Sequence, residues 1–240
     1  MRRNWVDGAA SGNFCWAAGG KKGCLAINRL TALQQDFLHI FFRLNSQFFL
    51  TGGAALAGFH LGHRETHDLD LFTLEDAMAN GMAAVAEAAH EMVATLEAIQ
   101  TAPDFRRILL RRGTEAILVD LVRERVQQAL PEKLVINGVR MDPPEEILAN
   151  KLCALLARAE IRDLVDVRAL EQAGYPVEDA LEAAAAKDRG LTPAQLGWVL
   201  SQIELGDDVS APGGVSTTEL RRYLAELIIR LARNAFPQSR

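Results

Sequence analysis

Two glycines and two aspartates in one short stretch carry the clearest chemical signal in the sequence. The stretch TGGAALAGFHLGHRETHDLDLF, residues 51–72, places Gly52 and Gly53 ahead of Asp68 and Asp70. Side chains alternate along a strand, so the two aspartates should point to the same face. Carboxylates held that close repel each other unless a cation lies between them. Mg²⁺ fits, because it prefers oxygen ligands and accepts substrate phosphates in its shell.

The glycine pair suits a phosphate. Without a Cβ, Gly52 and Gly53 let backbone N–H groups approach an anion at the start of a helix, where the dipole also favours negative charge. A third carboxylate, Asp120, lies within ILVDLV, whose apolar residues predict a buried strand. If that strand adjoins the one that carries Asp68 and Asp70, the three acids would form the metal cluster of a two-metal phosphoryl or nucleotidyl transfer.

These residues need a sheet to position them, and the first part of the chain predicts one. Strands are predicted at QFFLTG, HDLDLF, FRRILLRR and EAILVDLV, and KLVINGVRM carries an Asn-Gly hairpin signal. A helical stripe from Ala26 to Leu44 predicts a core-facing helix, and AALAGFHLG predicts another. Thr73 with Asp76 resembles a capping box for a long alanine-rich helix that extends to about Ile99.

After Pro143 and Pro144 the sequence predicts helices only. The five helical segments are EEILANKLCALLARA, IRDLVDVRALEQAG, VEDALEAAAAK, PAQLGWVLSQIEL and TTELRRYLAELIIRLARNAF, and Trp198 with its neighbouring leucines is assigned to the core. The prediction is an α+β fold with a mixed-sheet domain at residues 26–142 and an all-α helical lobe at residues 143–240. Residues 1–25, rich in Gly and Ala without periodicity, are expected to be a poorly ordered N-terminal extension.

Composition restricts the classes of function without selecting one. The chain has 240 residues and a formal net charge of −5, so no global basic field demands a nucleic-acid partner. Three cysteines without metal-binding spacing argue against a disulfide framework and a structural zinc site, and favour a reducing cytoplasm. No apolar run approaches the roughly 20 residues of a membrane span. A zinc site of His60, His63 and His67 is not expected, because the first two lie at a helix end and the third opens a strand.

The order of the motifs resembles one known family. G-G-x-A-L, R-x-T-x-D-L-D-L-F, an isolated strand aspartate, KLCALLAR and RDLVDV follow one another over roughly residues 30–175. This order looks like the AbiEii/AbiGii-type nucleotidyltransferase toxins of the DNA polymerase β-like nucleotidyltransferase superfamily. The resemblance implies a nucleotidyltransferase domain at residues 26–142, with two Mg²⁺ ions and an NTP such as ATP as substrate.

The resemblance also implies roles for residues of the first two motifs. Gly52 and Gly53 would bind the nucleotide phosphates, and Arg64 and Thr66 would take part in nucleotide binding. The three strand aspartates would hold the metal ions. The second position of the turn is Gly53, where many relatives have Ser, which removes a hydroxyl contact to phosphate and leaves the backbone cradle.

Residues of the helical lobe are implicated in the same way. Lys151 would steady the triphosphate, and Asp163 or Asp166 matches the family's helical carboxylate. By their residue types alone, Lys151 is an ordinary solvated lysine, and a surface ion pair between Arg162 and Asp166, four residues apart, explains the RDLVD stretch nearly as well.

The implied reaction moves an NMP from an NTP to an acceptor hydroxyl. The resemblance implies the toxin of a toxin–antitoxin pair, with the 3′ end of tRNA or another RNA as acceptor and a cognate antitoxin as partner. Two alternatives stay open: adenylylation of a protein or small-molecule hydroxyl by the same metal chemistry, and a non-catalytic nucleotide-binding module. The presence of all three acids argues against the second alternative.

Overall fold

The strands of the protein form one mixed sheet. A computed structural model describes residues 28–206 and 210–235, and the predicted N-terminal extension at residues 1–25 lies outside them. In chain order the strands are β1 (Phe49–Thr51), β2 (Asp68–Thr73), β3 (Thr95–Ala102), β4 (Phe105–Arg112), β5 (Glu115–Arg123), β6 (Leu134–Ile136) and β7 (Val139–Met141). They are hydrogen-bonded in the order β3-β4-β5-β2-β1-β7-β6. β2 pairs in parallel with β5 and antiparallel with β1, so the predicted mixed sheet is confirmed.

The helices follow the predicted order. They are α1 (Ala32–Leu44), α2 (Gly52–Ala55), α3 (Met78–Glu91), α4 (Pro144–Arg158), α5 (Ile161–Gln172), α6 (Val177–Lys187), α7 (Pro193–Ser201) and α8 (Thr217–Ala235). α2 continues into a π-helical turn at Leu56–His60. α1 begins later than predicted, because Thr31 forms a capping box with Gln34. The observed architecture is α+β, as predicted.

A continuous hydrophobic core joins the sheet to the helices. On one face of the sheet, α1 and α3 pack against each other and against β5. Phe37, Phe41 and Phe48 are fully buried there, with ring centroids 5.7 and 5.8 Å apart for successive pairs. After β7, Pro143 and Pro144 start α4, since a proline in the first turn loses no helical hydrogen bond. No helix among the described residues is long and apolar enough to cross a membrane.

The prediction of one long helix from Thr73 to about Ile99 is wrong. Thr73 ends β2, and α3 begins only at Met78, with Ala77 as an N-cap that makes no side-chain hydrogen bond. β3 replaces the last part of the predicted helix. The chain leaves α3 through Val93, which has a positive φ of 53°. Nearly every side chain of β3 is exposed, so no buried stripe marks the strand in the sequence, and pairing with β4 stabilises it instead.

Two side chains assigned to the core lie at the surface. Trp198 is 61% exposed, whereas Leu196 and Leu200 on the same helix are fully buried. Leu44, at the end of the predicted stripe, is 43% exposed because α1 ends there. Helical periodicity identified the buried face of each helix but not how far its packing partners extend.

Two helical glycines should respond in opposite ways to alanine. A Cβ on Gly81 of α3 would lie 2.6 Å from Phe48 Cζ, whereas a Cβ on Gly197 of α7 would meet Leu231 at an ordinary 3.6 Å. We expect Gly81→Ala to lower the free energy of unfolding by about 1–3 kcal/mol through overpacking. Gly197→Ala should raise it by about 0.5–1 kcal/mol, because alanine favours the helix. Urea unfolding measures both, and a stabilised Gly81→Ala would contradict the packing of α3 on the sheet.

Candidate active site

The strand register places the three predicted strand acids in one part of the sheet. β2 and β5 are neighbours, and their parallel pairing sets Asp70 opposite Asp120. Asp68 lies two positions before Asp70 and therefore on the same face, while Leu69 and Leu71 point into the core and are fully buried. The strand that carries Asp120 thus adjoins the strand that carries the pair, as the proposed cluster requires.

Asp70 is the least compensated of the three acids. Loss of hydration is the main reason that the pKa of Asp70 is raised to about 6; the nearby charges of Asp120 and Asp68 act in the same direction, and Lys151 opposes them. Arg162 contributes a weaker compensation and lies 3.7 Å from Asp68 Oδ2. The two cations that act on Asp70, Lys151 and Arg162, thus form their closest ion pairs with other acids.

The glycine turn lies directly against this acid. Gly52 begins α2 with φ of +64°, a conformation that glycine adopts without strain. A Cβ at Gly52 would overlap Asp70 Oδ2, so a side chain there would displace the acid or the turn. A Cβ at Gly53 would lie 2.6 Å from Arg64 Nη2 and 3.5 Å from Thr66 Oγ1. Both positions need glycine because the side chains of Asp70, Arg64 and Thr66 fill the adjacent space.

Asp163 and Asp166 are fully buried, which overturns the surface interpretation of the RDLVD stretch. Lys151 Nζ lies 2.7 Å from Asp163 Oδ1 and 2.6 Å from Asp166 Oδ2. The predicted alternative, an ion pair between Arg162 and Asp166, is wrong, since Arg162 pairs with Glu160 at 2.6 Å. The description of Lys151 as a solvated lysine is also wrong, because only 7% of the residue is exposed.

Asp166 has two further partners, one in the second motif and one directly before it. Arg64 donates to both of its oxygens, at 2.6 and 2.8 Å, and His63 Nε2 lies 2.7 Å from Oδ1. Burial by itself would raise the pKa of Asp166, but Lys151 and the hydrogen bonds from Arg64 and His63 hold this pKa well below its usual range. Burial likewise opposes the charged form of Lys151, yet Asp166 and Asp163 raise its pKa. The cluster is therefore ionised and internally neutralised.

Asp120 has a different partner that sequence reasoning did not identify. Arg107 on β4 donates to Asp120 Oδ1 at 2.9 Å and to Oδ2 at 2.6 Å, so both carboxylate oxygens are engaged. In residues 28–206 and 210–235 no group of three His, Cys, Asp or Glu side chains is arranged to hold a metal ion. The run FRRILLRR contains four arginines, and only the strand register selects Arg107, which lies opposite Asp120.

A second buried ion pair contacts Thr51, the residue before the glycine turn. Lys133 Nζ lies 2.6 Å from Asp142 Oδ1 and 4.2 Å from the centre of the Phe49 ring, and both charged side chains are almost completely buried. Burial raises the pKa of Asp142, while hydrogen bonds from Lys133 and Thr51 lower it. Because Thr51 precedes Gly52, this pair helps to position the turn. Neither charged residue belongs to a motif that would have marked it in the sequence.

The residues present fit a divalent cation that prefers oxygen. Asp68 and Asp70 supply carboxylates on one face, and Asp120 lies in register beside them. The raised pKa of Asp70 reflects charge that a bound cation would compensate. His60 and His63 make unrelated contacts, with the Asp142 backbone carbonyl and with Asp166, so they do not share an ion.

Solved structures with the same fold include proteins of two bacteria. A candidate nucleotidyltransferase from Helicobacter pylori is 19% identical with a TM-score of 0.56, and the alignment covers 85% of this chain and 96% of that one. JHP933 from Helicobacter pylori is 20% identical with a TM-score of 0.54, covering 84% and 89%. MenT4, a nucleotidyltransferase toxin of Mycobacterium tuberculosis H37Rv, is 16% identical with a TM-score of 0.54, covering 83% and 82%. At these identities the likeness shows a shared fold.

The family follows from the sequence itself. A comparison with curated proteins gives no match. A family model described as "Nucleotidyl transferase AbiEii toxin, Type IV TA system" matches residues 39–237, which is most of the chain. The motifs quoted from the sequence lie at the acids, the glycine turn and the buried ion cluster of this structure. The chain therefore belongs to the AbiEii family of nucleotidyltransferase toxins.

Proposed function

We propose that the chain transfers an NMP from an NTP to an acceptor hydroxyl with the help of divalent metal ions, as the toxin of a toxin–antitoxin pair. The observation that carries the proposal is the register of β2 and β5, which sets Asp70 opposite Asp120 with Asp68 on the same face. The start of α2 at Gly52 lies against the same acid. The proposed metal ligands and the proposed phosphate-binding turn thus lie together at one point of the sheet.

Each group of residues has a separate part in this reaction. Asp68, Asp70 and Asp120 would hold two Mg²⁺ ions. When bound, these would neutralise phosphate charge and lower the pKa of the acceptor hydroxyl. The backbone N–H groups of Gly52 and Gly53 would receive the nucleotide phosphates. Most of the acceleration in phosphoryl transfer comes from positioning and charge stabilisation. Acids on paired strands suit this requirement, because the sheet fixes their backbone positions.

The buried ion cluster would hold the cationic groups of Lys151 and Arg64 beside the triphosphate. Lys151 acts on the pKa of Asp70, so its ammonium lies close to the acids. Asp163 and Asp166 hold Lys151, and Asp166 also holds Arg64 against Gly53. Thr66 lies beside the same glycine and is buried. We infer that Lys151 and Arg64 contact the nucleotide, with Asp163 and Asp166 as positioning residues.

The proposed acceptor is RNA, with the 3′ end of tRNA as the leading example. The face of the sheet that carries Asp120 continues onto β4, where Arg107 and Arg111 alternate with half-buried apolar side chains. Arginines on an accessible face can contact a phosphate backbone. A cognate antitoxin is proposed as a partner because the matching family model describes a toxin–antitoxin system.

A labelled-nucleotide assay tests the reaction class directly. The purified chain is incubated with each α-labelled NTP, Mg²⁺ and either total RNA or total cell protein, with a parallel sample in EDTA. We expect label in RNA and none in EDTA. Label in protein or in a small molecule would instead establish the alternative acceptors. Nucleotide binding without transfer to any acceptor would overturn the enzymatic proposal in favour of a binding module.

Asp70→Asn should separate catalysis from stability. We expect transfer to fall below detection, because a neutral amide is a poor metal ligand, while the metal-free protein gains stability at pH 7.5 as an uncompensated charge is removed. The control is Asp76→Asn, because Asp76 is an acid with an 82% exposed side chain. This change should leave transfer intact. Retained transfer in Asp70→Asn, measured beside its melting temperature, would exclude Asp70 from the ligand set.

Lys151→Ala should affect both activity and stability. Removing one partner of a buried ion pair leaves uncompensated charge and costs about 3 kcal/mol, and losing one transition-state contact slows transfer on the order of 10²- to 10³-fold. The matched control is Lys187→Ala, because Lys187 is also buried and pairs with Glu146 rather than with an acid of the site. Initial rates are normalised to the folded fraction. Equal normalised rates for the two variants would reduce Lys151 to a structural role.

A further inference from the structure

We propose that Arg107 competes with the metal ion for Asp120 and so sets the metal concentration at which the site assembles. The inference rests on the proposed function, because it concerns the same acids. It assigns a positioning role to a residue outside the motifs that identified the site. Its basis is the placement of one guanidinium among three carboxylates.

The contact between Arg107 and Asp120 uses both oxygens of the acid. The two donors, Nε and Nη2, lie 2.9 and 2.6 Å from Oδ1 and Oδ2, a parallel bidentate geometry that is among the stronger ion-pair arrangements. A metal ion needs at least one of those oxygens as a ligand. Each of these oxygens has a second lone pair, but the positive guanidinium and a metal ion would repel each other across one carboxylate. A metal ion that binds Asp120 would therefore weaken or displace the contact with Arg107.

The guanidinium supplies positive charge at Asp120, where a bound metal ion would supply it in the proposed site. Asp70 lies opposite Asp120 in the register of β2 and β5, with Asp68 on the same face. The arginine and the metal ion would therefore act on the same group of acids.

Exposure indicates which partner moves. The side chain of Arg107 is 37% exposed, whereas that of Asp120 is 5% exposed. Asp120 lies on β5 between β4 and β2, so its backbone is held on both sides, while β4 has the exposed strand β3 as its outer neighbour. Arg107 can turn into solvent without burying an unpaired charge. We therefore expect the arginine to leave and the acid to stay.

Competition makes a prediction about metal affinity that requires no catalytic turnover. We expect Arg107→Ala to bind Mn²⁺ roughly tenfold more tightly, the scale of one charge-assisted hydrogen bond lost from the metal-free state. Its metal-free melting temperature should fall, since Asp120 loses its partner, and its rise on adding Mn²⁺ should be larger than in the parent protein. Electron paramagnetic resonance of free Mn²⁺ measures the affinity. Arg107→Gln provides the same comparison if the alanine variant does not fold.

Two further variants distinguish competition from simple charge repulsion. Arg111→Ala removes an exposed arginine from the same face of β4 and should leave Mn²⁺ affinity within twofold of the parent. In an Asp120→Asn background, Arg107→Ala should no longer tighten binding, because the contested ligand is gone. Tightening that persists in that background would show repulsion at a distance and overturn the competition.

The two proposals fail in different ways. If the parent chain binds Mn²⁺ and Arg107→Ala binds it equally or more weakly, the competition is wrong and the metal-dependent transfer stands. If neither the parent nor any Arg107 variant binds Mn²⁺ in the presence or absence of NTP, the metal-dependent function fails as well. Tighter binding by Arg107→Ala, lost in the Asp120→Asn background, supports the inference.

Discussion

Carboxylates removed from water must be neutralised, and the arrangement of this site follows from that requirement. Five aspartates meet near the junction of the sheet and α5: Asp68, Asp70, Asp120, Asp163 and Asp166. Burial alone would protonate such acids or destabilise the fold. The acids on the sheet, Asp68, Asp70 and Asp120, are neutralised differently from the acids on α5, Asp163 and Asp166.

On the helical side the neutralising charges belong to the protein. Asp163 and Asp166 are fully buried, and Lys151, Arg64 and Arg158 lie against them at distances between 2.6 and 2.9 Å. On the sheet side the compensation is incomplete, since Arg107 engages Asp120 while Asp70 keeps a raised pKa. Ion pairs within the protein therefore neutralise the helical side, and residual negative charge remains at Asp70, where we propose that a cation and a nucleotide bind.

The glycine turn connects these two sides. Gly52 touches the uncompensated acid, and Gly53 touches Arg64, the arginine that Asp166 holds. A phosphate approaching the start of α2 would therefore lie between the metal-binding acids and a fixed guanidinium. Behind the turn, the buried pair of Lys133 and Asp142 keeps Thr51 and β1 in place. A side chain at either glycine would separate groups whose chemistry depends on contact.

The sequence by itself determined the local geometry. Alternation along β2 put Asp68 and Asp70 on one face, the glycine pair marked the start of α2, and helical periodicity identified the helices after Pro144. Each of these follows from the backbone period of a single element. The motif order also predicted the family that the family model shows.

The tertiary structure decided which charges meet. Arg64 and Asp166 are 102 residues apart in the chain, and Arg107 faces Asp120 only because β4 and β5 pair in one register. The same dependence explains the errors. The exposed strand β3 is stabilised by β4, and Lys151 is buried because α4 and α5 pack together. Trp198 stays largely exposed among the residues that the structure describes. The periodicity of a helix or strand can be read along the chain, but the partner of a side chain depends on the packing of distant elements.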